Sequence, residues 1–282
     1  MPTSLRGIAE KSALRKEHRF QNLVNELTPS YLMWCWGKLN KKASPGVDKI
    51  TVREYGKDLK QNISDLYGRL KRGAYRAKLI ARRFIPKAGG KQRPLGLPAT
   101  EDKVLQTGVA RILEAIYEAD FRDCSFGYRP RRSAKDAVKE LSRSLQFGKY
   151  NFIVEADIRG FFDNIDHDIL LEMLSERIDD RKFLGLIRKW LKAGILEKDG
   201  KILNPVTGTP QGGIVSPILA NIYLHNALDN WFEDGVRKHT RGGAIKSAVF
   251  SIIRCIIAYL SVRVVSLKEK PKVIIRVCRP FI

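Results

Sequence analysis

Residues 152–166 read FIVEADIRGFFDNID, and this stretch decides the fold. Its first seven residues form a short apolar run with β-branched side chains, which predicts a buried strand over 152–158. Asp157 stands near the end of that strand, where an acid is expected to face a cleft. Mg²⁺ is bound through one or two carboxylates together with substrate phosphates, so Asp157 is a candidate metal ligand. The alternative is a helix N-cap or a paired surface acid.

Helices and strands surround this strand without regular alternation. A second strand is predicted over 81–86, followed by a glycine-containing turn over 87–91. Ser133, Asp166 and Ser216 are placed to begin helices. The order predicts an α+β fold in which an antiparallel sheet is flanked by helices. The predicted helices cover residues 9–27, 52–72, 104–116, 133–145, 167–178, 181–193 and a segment from 216 onwards.

The charge of the chain is strongly uneven. Its 282 residues have a formal net charge of +22. Residues 1–98 have a net charge of +15, residues 99–243 are neutral, and residues 244–282 have a net charge of +7. Such a distribution favours a polyanionic partner, and nucleic acid is favoured over anionic lipid because the sequence has no basic amphipathic helix or lipid anchor motif.

Several classes of protein are excluded by composition. A hydrophobic content of 44% allows a sizeable core, which excludes a disordered tail. The four cysteines are far apart and form no Cys-x-x-Cys pair, so we expect reduced thiols and a cytoplasmic location. The longest apolar stretch, residues 248–267, is interrupted by Arg254 and Arg263, and we expect no membrane span.

Three further positions are candidates for contact with a nucleotide, and each has a structural alternative. The turn from Lys87 to Arg93 would clamp phosphates, or it is a solvated hairpin. Phe162 is either a platform for a ribose or a core residue. Gln211 lies in a glycine-rich turn, where it would meet a base or sugar unless it is only a turn residue.

The order of five motifs resembles that of the reverse transcriptases encoded by group II introns. The motifs are SPGVD at 44–48, IPKAGGKQRPLGLP at 85–98, FGYRPRRS at 126–133, ADIRGFFDNIDH at 156–167, and GTPQGG at 208–213 followed by Ser216-Pro217. Together they extend over about 170 residues, and the resemblance continues to about Gly242. The resemblance implies a right-hand polymerase fold with fingers and a partial palm. It implies an N-terminal finger extension at 1–75, fingers at 76–150, a partial palm at 151–243, and an atypical tail at 244–282.

The resemblance also implies an RNA-directed DNA polymerase with a maturase role. In this family the 3′-hydroxyl of a DNA primer attacks the α-phosphate of a dNTP along an intron RNA template, and two Mg²⁺ ions flank the reacting oxygens. Asp157 matches the first metal-binding aspartate of the palm. The backbone carbonyl of Ile158 matches a second oxygen that faces a metal.

Other matched residues imply contacts with dNTP and RNA. Lys87 and Arg93 match finger residues that hold the incoming triphosphate. Phe162 matches the steric gate that excludes a 2′-hydroxyl, and Gln211 matches the glutamine that lines the nucleotide pocket. Basic finger residues would follow the RNA backbone in a salt-dependent manner. They are Arg69, Lys71, Arg72, Arg76, Lys78, Arg82 and Arg83.

The sequence departs from the family after Gly242. The family continues with a strand-turn-strand that carries Tyr-x-Asp-Asp, but residues 243–282 contain Glu269 as their only acid. Asp179-Asp180 lies in a predicted helical region and is not this motif. A carboxylate partner of Asp157 is therefore missing, which leaves too few anionic ligands for two Mg²⁺ ions.

We hypothesise that the tail arises from a frameshift and that the chain is an inactive, truncated copy. The rival hypothesis is a divergent native tail with strands such as 273–277. The alternative function is a non-catalytic RNA-binding remnant that uses the basic fingers. A third possibility is a chain that misfolds because its palm sheet lacks a central hairpin.

Overall fold

A computed structural model describes residues 3–86, 88–90, 92–147, 152–158, 160–236, 245–250, 253–258 and 273–278. The chain divides into two compact units. The first unit comprises Met1–Asp120 and Phe162–Ala220, and the second comprises Phe121–Phe161 and Asn221–Ile282. The chain passes between the units three times, so this division differs from the four predicted segments, which stay a prediction.

Most of the predicted helices are confirmed, but the predicted helix over 9–27 is wrong beyond Leu14, where the first helix ends, and the helix Pro29–Lys38 was not predicted. Ser133 and Asp166 are confirmed as caps, because the Ser133 hydroxyl accepts from the Asp136 N–H and the Asp166 carboxylate accepts from two amides of the first helical turn. In chain order the helices are α1 (Thr3–Leu14), α2 (Pro29–Lys38), α3 (Val52–Tyr55), α4 (Leu59–Lys71), α5 (Thr100–Tyr117), α6 (Ala134–Phe147), α7 (His167–Ser175), α8 (Arg181–Leu191) and α9 (Ser216–Leu224).

Helix α5 forms the centre of the first unit. Fifteen of its eighteen residues are buried, including polar ones, because other helices pack around it. Gly108 allows α2 to approach closely, since an added Cβ would lie 3.2 Å from the Tyr31 ring. The Tyr31 hydroxyl donates a hydrogen bond to the Gly108 carbonyl over 2.9 Å. The sequence interval that looked like one helix over 52–72 is divided into α3 and α4.

The first sheet has the strand order β2-β1-β4-β5. Strands β1 (Ile80–Pro86) and β2 (Gln92–Leu97) form the predicted antiparallel hairpin, with Pro86 opposite Gln92. Strand β4 (Ile195–Leu196) pairs with β1 in parallel and with β5 (Ile202–Leu203) in antiparallel orientation. The expectation of a purely antiparallel sheet is therefore wrong here. The direction of β4 depends on a long tertiary connection, which local sequence patterns do not specify.

The second sheet lies in the second unit and is antiparallel throughout, with the order β6-β7-β3-β8. The predicted strand 152–158 is β3 (Phe152–Ile158), and it lies between two neighbours. The tail supplies the other strands: β6 (Ile245–Phe250), β7 (Ile253–Ala258) and β8 (Val273–Cys278). The expectation that this sheet lacks a hairpin is wrong, because β6 and β7 form one beside β3. The strand expected near 273–277 is confirmed.

Candidate nucleotide and nucleic-acid site

Two distant motifs meet in the first unit. Arg93 on β2 donates a hydrogen bond from Nε to Oε1 of Gln211 over 3.2 Å. The backbone reinforces this contact, because the Gly96 N–H donates to the Gln211 carbonyl over 2.6 Å. Two of the residues predicted to hold a dNTP are thus brought together. Their separation of 118 residues makes the contact a tertiary one.

Glycine is required where the turn at Gln211 meets β2. Gly212 has φ +110°, a conformation that residues with a Cβ rarely adopt. An added Cβ at this position would lie 2.6 Å from the Gly96 carbonyl oxygen. The buried Gln106 of α5 supports the same turn, since its Oε1 accepts a hydrogen bond from the Ile214 N–H over 3.0 Å. The turn is therefore anchored from both sides.

Phe162 is joined to the same loop through its backbone. The Thr209 N–H donates to the Phe162 carbonyl and the Gly208 N–H donates to the Ile165 carbonyl, each over 2.7 Å. The Phe162 side chain is 7% exposed, which agrees with the core alternative for its environment. Its role as a steric gate stays a prediction. The structure thus groups three predicted residues, Arg93, Phe162 and Gln211, around one loop.

The remaining predicted dNTP ligand, Lys87, lies outside the described residues. Its neighbours at Ala88–Gly90 form a short 3₁₀ turn between β1 and β2. Gly89 and Gly90 have φ values of +79° and +72°, and an added Cβ at either would meet no atom within 4 Å. The hairpin therefore ends in an open turn, as the sequence predicts.

Asp157 belongs to the second unit, on β3, and its strand neighbours offer no second carboxylate. Asp157 pairs in register with Ile253 on β7 and with Ile274 on β8. Strands β6, β7 and β8 contain no Asp or Glu. Among the described residues, no group of three or more His, Cys, Asp or Glu is placed to hold a metal ion. The strands that pair with β3 thus supply no carboxylate partner for Asp157, whereas a pair of Mg²⁺ ions needs several anionic ligands.

Three of the basic residues predicted to bind RNA form ion pairs within the first unit. Arg69 forms a bidentate pair with Glu101, with contacts of 3.0 and 2.5 Å, and this pair raises the pKa of the guanidinium. Lys78 pairs with Asp48 over 2.9 Å, and Arg82 pairs with Glu197 over 3.1 Å. These charges are already compensated. The sequence could not reveal the pairing because each partner is at least 30 residues away.

The other four predicted RNA ligands lie on the surface of the first unit. Lys71, Arg72, Arg76 and Arg83 are all exposed. Lys71 also lies over the ring of Tyr67, with Nζ 5.4 Å from the centroid. These four residues are therefore the accessible part of the basic finger set.

Sequence reasoning missed a buried polar network in the first unit. The Tyr75 hydroxyl donates to Oδ1 of Asp102 over 2.6 Å and accepts from the Trp190 indole N–H over 2.7 Å. The Lys78 N–H donates to Oδ2 of Asp102 over 3.1 Å. Burial raises the pKa of Asp102 to about 6, although the Tyr75 hydrogen bond opposes this shift. The network joins α5, α8 and the segment that leads into β1.

Gly208 is required by the backbone of the site, although the motif that contains it does not mark it as such. It has φ +89°, and an added Cβ would lie 2.8 Å from the Asp163 carbonyl oxygen and 2.9 Å from that of Phe162. The signal was present in the sequence, since a glycine directly before Thr-Pro favours a special turn conformation. What the sequence could not show is which backbone lies against it.

Comparisons with known proteins place these motifs in a family. Residues 85–239, more than half of the chain, match the family described as reverse transcriptase (RNA-dependent DNA polymerase). Group II intron-encoded protein LtrA of Lactococcus lactis subsp. cremoris is 46% identical over 166 residues, which are 58% of this chain and 27% of LtrA. Protein YkfC of Escherichia coli (strain K12) is 34% identical over 236 residues, which are 81% of this chain and 61% of YkfC.

Solved structures share the fold at low sequence identity. A chain of a partial Cas6-RT-Cas1--Cas2 complex superposes with a TM-score of 0.50 and 22% identity, covering 82% of this chain and 37% of that one. Telomerase from Candida albicans superposes with a TM-score of 0.51 and 13% identity, covering 68% of this chain and 39% of that one. Among the described residues, no helix is long and apolar enough to cross a membrane.

The predicted α+β reverse transcriptase fold and the resemblance to intron-encoded proteins are thus confirmed. The chain spans about a quarter of LtrA and about three fifths of YkfC. This chain belongs to the reverse transcriptase (RNA-dependent DNA polymerase) family and is a relative of the group II intron-encoded reverse transcriptases and maturases.

Proposed function

We propose that this chain binds intron RNA and a dNTP through its first unit and does not, by itself, extend a DNA primer. The observation that carries the nucleotide-binding part is the Arg93–Gln211 hydrogen bond. It joins the finger hairpin to the glycine-rich loop, and these are the two elements that hold an incoming nucleotide in the family. A cytoplasmic location accompanies this proposal.

The RNA-binding part rests on charge and exposure. Residues 1–98 have a net charge of +15, and four of their predicted RNA ligands are exposed. Each lysine or arginine that neutralises a phosphate releases condensed counterions, so affinity should fall steeply as salt rises. A filter-binding titration with a group II intron RNA at several salt concentrations tests this part. Affinity that does not depend on salt would contradict it.

The lack of polymerisation rests on the surroundings of Asp157. The two strands that pair with β3 place Ile253 and Ile274 opposite Asp157 in register. Two-metal catalysis needs carboxylates that bridge ions about 3.5–4 Å apart, and the strands that pair with β3 add none to Asp157. The family activity, RNA-directed DNA synthesis, is the second candidate function, and primer extension decides between them.

Binding of dNTP can be tested separately from turnover. Equilibrium dialysis with dATP and Mg²⁺ should detect binding to the wild-type chain. Arg93→Ala should weaken it by about 10- to 100-fold, because a hydrogen bond from a charged donor contributes roughly 1.5–3 kcal/mol. Arg188→Ala is a matched control, since Arg188 is an exposed arginine in an ion pair with Asp168. Equal effects of the two substitutions would contradict a nucleotide role for Arg93.

A further inference from the structure

Helix α6 of the second unit has one buried and one solvent-facing side. Ala137 and Ser144 are buried on the helix, and Ala137 packs against Phe126. The Ser133 hydroxyl and the Asp136 carboxylate form a reciprocal cap at the start of the helix. The orientation of α6 is therefore fixed by packing on one side and by capping at its first turn.

The opposite side of α6 carries three cations in a row, Lys135, Lys139 and Arg143. All three are exposed. They are spaced four residues apart, so they follow one another at intervals of about 6 Å along the helix and within an arc of about 80°. Within the described part of the chain, none of them forms an ion pair or a side-chain hydrogen bond. We call these three residues the α6 basic stripe.

The stripe borders a groove of about 680 Å³. Arg122 and Arg132 line this groove together with Lys139 and Arg143. Its acids are already engaged: Asp123 pairs with Arg132 over 2.8 Å, and Asp136 accepts from Ser133. Glu140 and Glu233 also line the groove and have intramolecular interactions of their own. The groove lining therefore contains as many acids as cations, and the exposed cations that the stripe adds to it are Lys139 and Arg143.

We propose that the α6 basic stripe is a second RNA-binding surface, which contacts the phosphates of a single-stranded segment. This surface is separate from the seven basic finger residues at 69–83 and lies within residues 99–243, which are neutral overall. A row of cations at regular intervals fits a strand that presents one phosphate per nucleotide. Three contacts of this kind position the strand without reading its sequence. The inference rests on the proposed function, because it requires that the chain binds RNA.

The test is the salt dependence of RNA binding in matched variants of the full chain. The stripe variant is Lys135→Gln, Lys139→Gln, Arg143→Gln. The control variant, Arg181→Gln, Lys182→Gln, Lys192→Gln, removes three exposed cations from the first unit and has the same net charge. The finger variant replaces Lys71, Arg72, Arg76 and Arg83 with Gln. Affinity for single-stranded intron RNA is measured by filter binding between 50 and 200 mM KCl.

We expect the stripe variant to lose about two units from the slope of log affinity against log salt, since a single strand contributes about 0.7 per phosphate contact. Between 50 and 200 mM KCl, the stripe variant should therefore lose about 20-fold less affinity than the wild type. Lys135→Arg, Lys139→Arg should retain the wild-type slope. If the stripe variant does not melt cooperatively, the single variant Lys139→Gln should still lower the slope by about 0.7.

The possible failures are distinguishable. If the salt slope is unchanged in the stripe variant but reduced in the finger variant, the stripe does not bind RNA, and the proposed function still holds. If the salt slope falls equally in the stripe and control variants, the effect is one of net charge alone, and the stripe is not a specific RNA-binding surface. If the wild-type chain does not bind RNA, both the proposed role of the stripe and the proposed function are wrong.

Discussion

The Gly208→Ala substitution tests whether the loop before Gln211 is set by backbone contact with Phe162. Gly208 has φ +89°, and an added Cβ would lie 2.8–2.9 Å from backbone atoms of Asp163 and Phe162. Backbone atoms cannot move aside as a flexible side chain can. The loop must therefore shift, which lengthens the 2.7 Å hydrogen bond from the Thr209 N–H to the Phe162 carbonyl.

Gly200 provides a matched control for the conformational part of this cost. It has φ +87°, close to that of Gly208, but an added Cβ would meet no atom within 4 Å. Gly200→Ala should therefore cost only the strain of a left-handed residue, roughly 1–2 kcal/mol. Gly208→Ala should add an overpacking cost of roughly 1–3 kcal/mol.

The assay is urea denaturation followed by circular dichroism, with the midpoint and slope compared among the wild type and the two variants. We expect both variants to be less stable than the wild type, and Gly208→Ala to be less stable than Gly200→Ala by roughly 1–3 kcal/mol. Equal stabilities of the two variants would refute the close approach of Gly208 to Phe162. A Gly208→Ala variant as stable as the wild type would refute the conformational argument as well.

Three further predictions concern the first unit. The pKa of Asp102 is about 6 in the folded chain, against an ordinary 3.8. The stabilisation that the protonated Asp102 gives to the fold is therefore fully present below pH 3.8 and is lost as pH rises through 6. Wild type should therefore lose about 3 kcal/mol relative to Asp102→Asn between pH 3.5 and 8, and parallel pH profiles in chemical denaturation would contradict this. Tyr75→Phe removes the hydrogen-bond partner of Asp102 Oδ1 and that of the Trp190 N–H, at a cost of roughly 1–3 kcal/mol per group, and an unchanged urea midpoint would exclude that role. Gly185→Ala, where an added Cβ meets no atom within 4 Å in α8, should raise the unfolding free energy by roughly 0.5–1 kcal/mol, and a lower melting temperature would contradict the open space there.

Local features of this fold were predictable because they depend on neighbouring residues. The caps at Ser133 and Asp166 follow from side chains within three positions, and strand 152–158 follows from a short apolar run. The direction of β4 and the pairing of β3 with the tail strands were not predictable, since both depend on residues far away in the chain. The apolar, acid-poor character of 244–282 suggested foreign sequence, yet the same character suits strands of a sheet.

The candidate site was predictable in its residues but not in its contacts. The resemblance selected Arg93, Phe162 and Gln211, and the structure groups them around one loop. The resemblance did not show that two of the seven basic residues, Arg69 and Arg82, form ion pairs with distant glutamates. Charge counts along a sequence therefore overestimate the charge available to RNA, because ion pairs form between segments that are adjacent only in the fold.

The most direct test of the central claim is a primer-extension assay on an RNA template with Mg²⁺ and all four dNTPs. The claim is that the chain retains the elements that bind RNA and nucleotide, while the strands that pair with β3 carry no carboxylate partner for Asp157. It predicts salt-dependent RNA binding by the same preparation and no template-length cDNA. Template-length cDNA from the wild type, absent with Asp157→Ala, would contradict the claim.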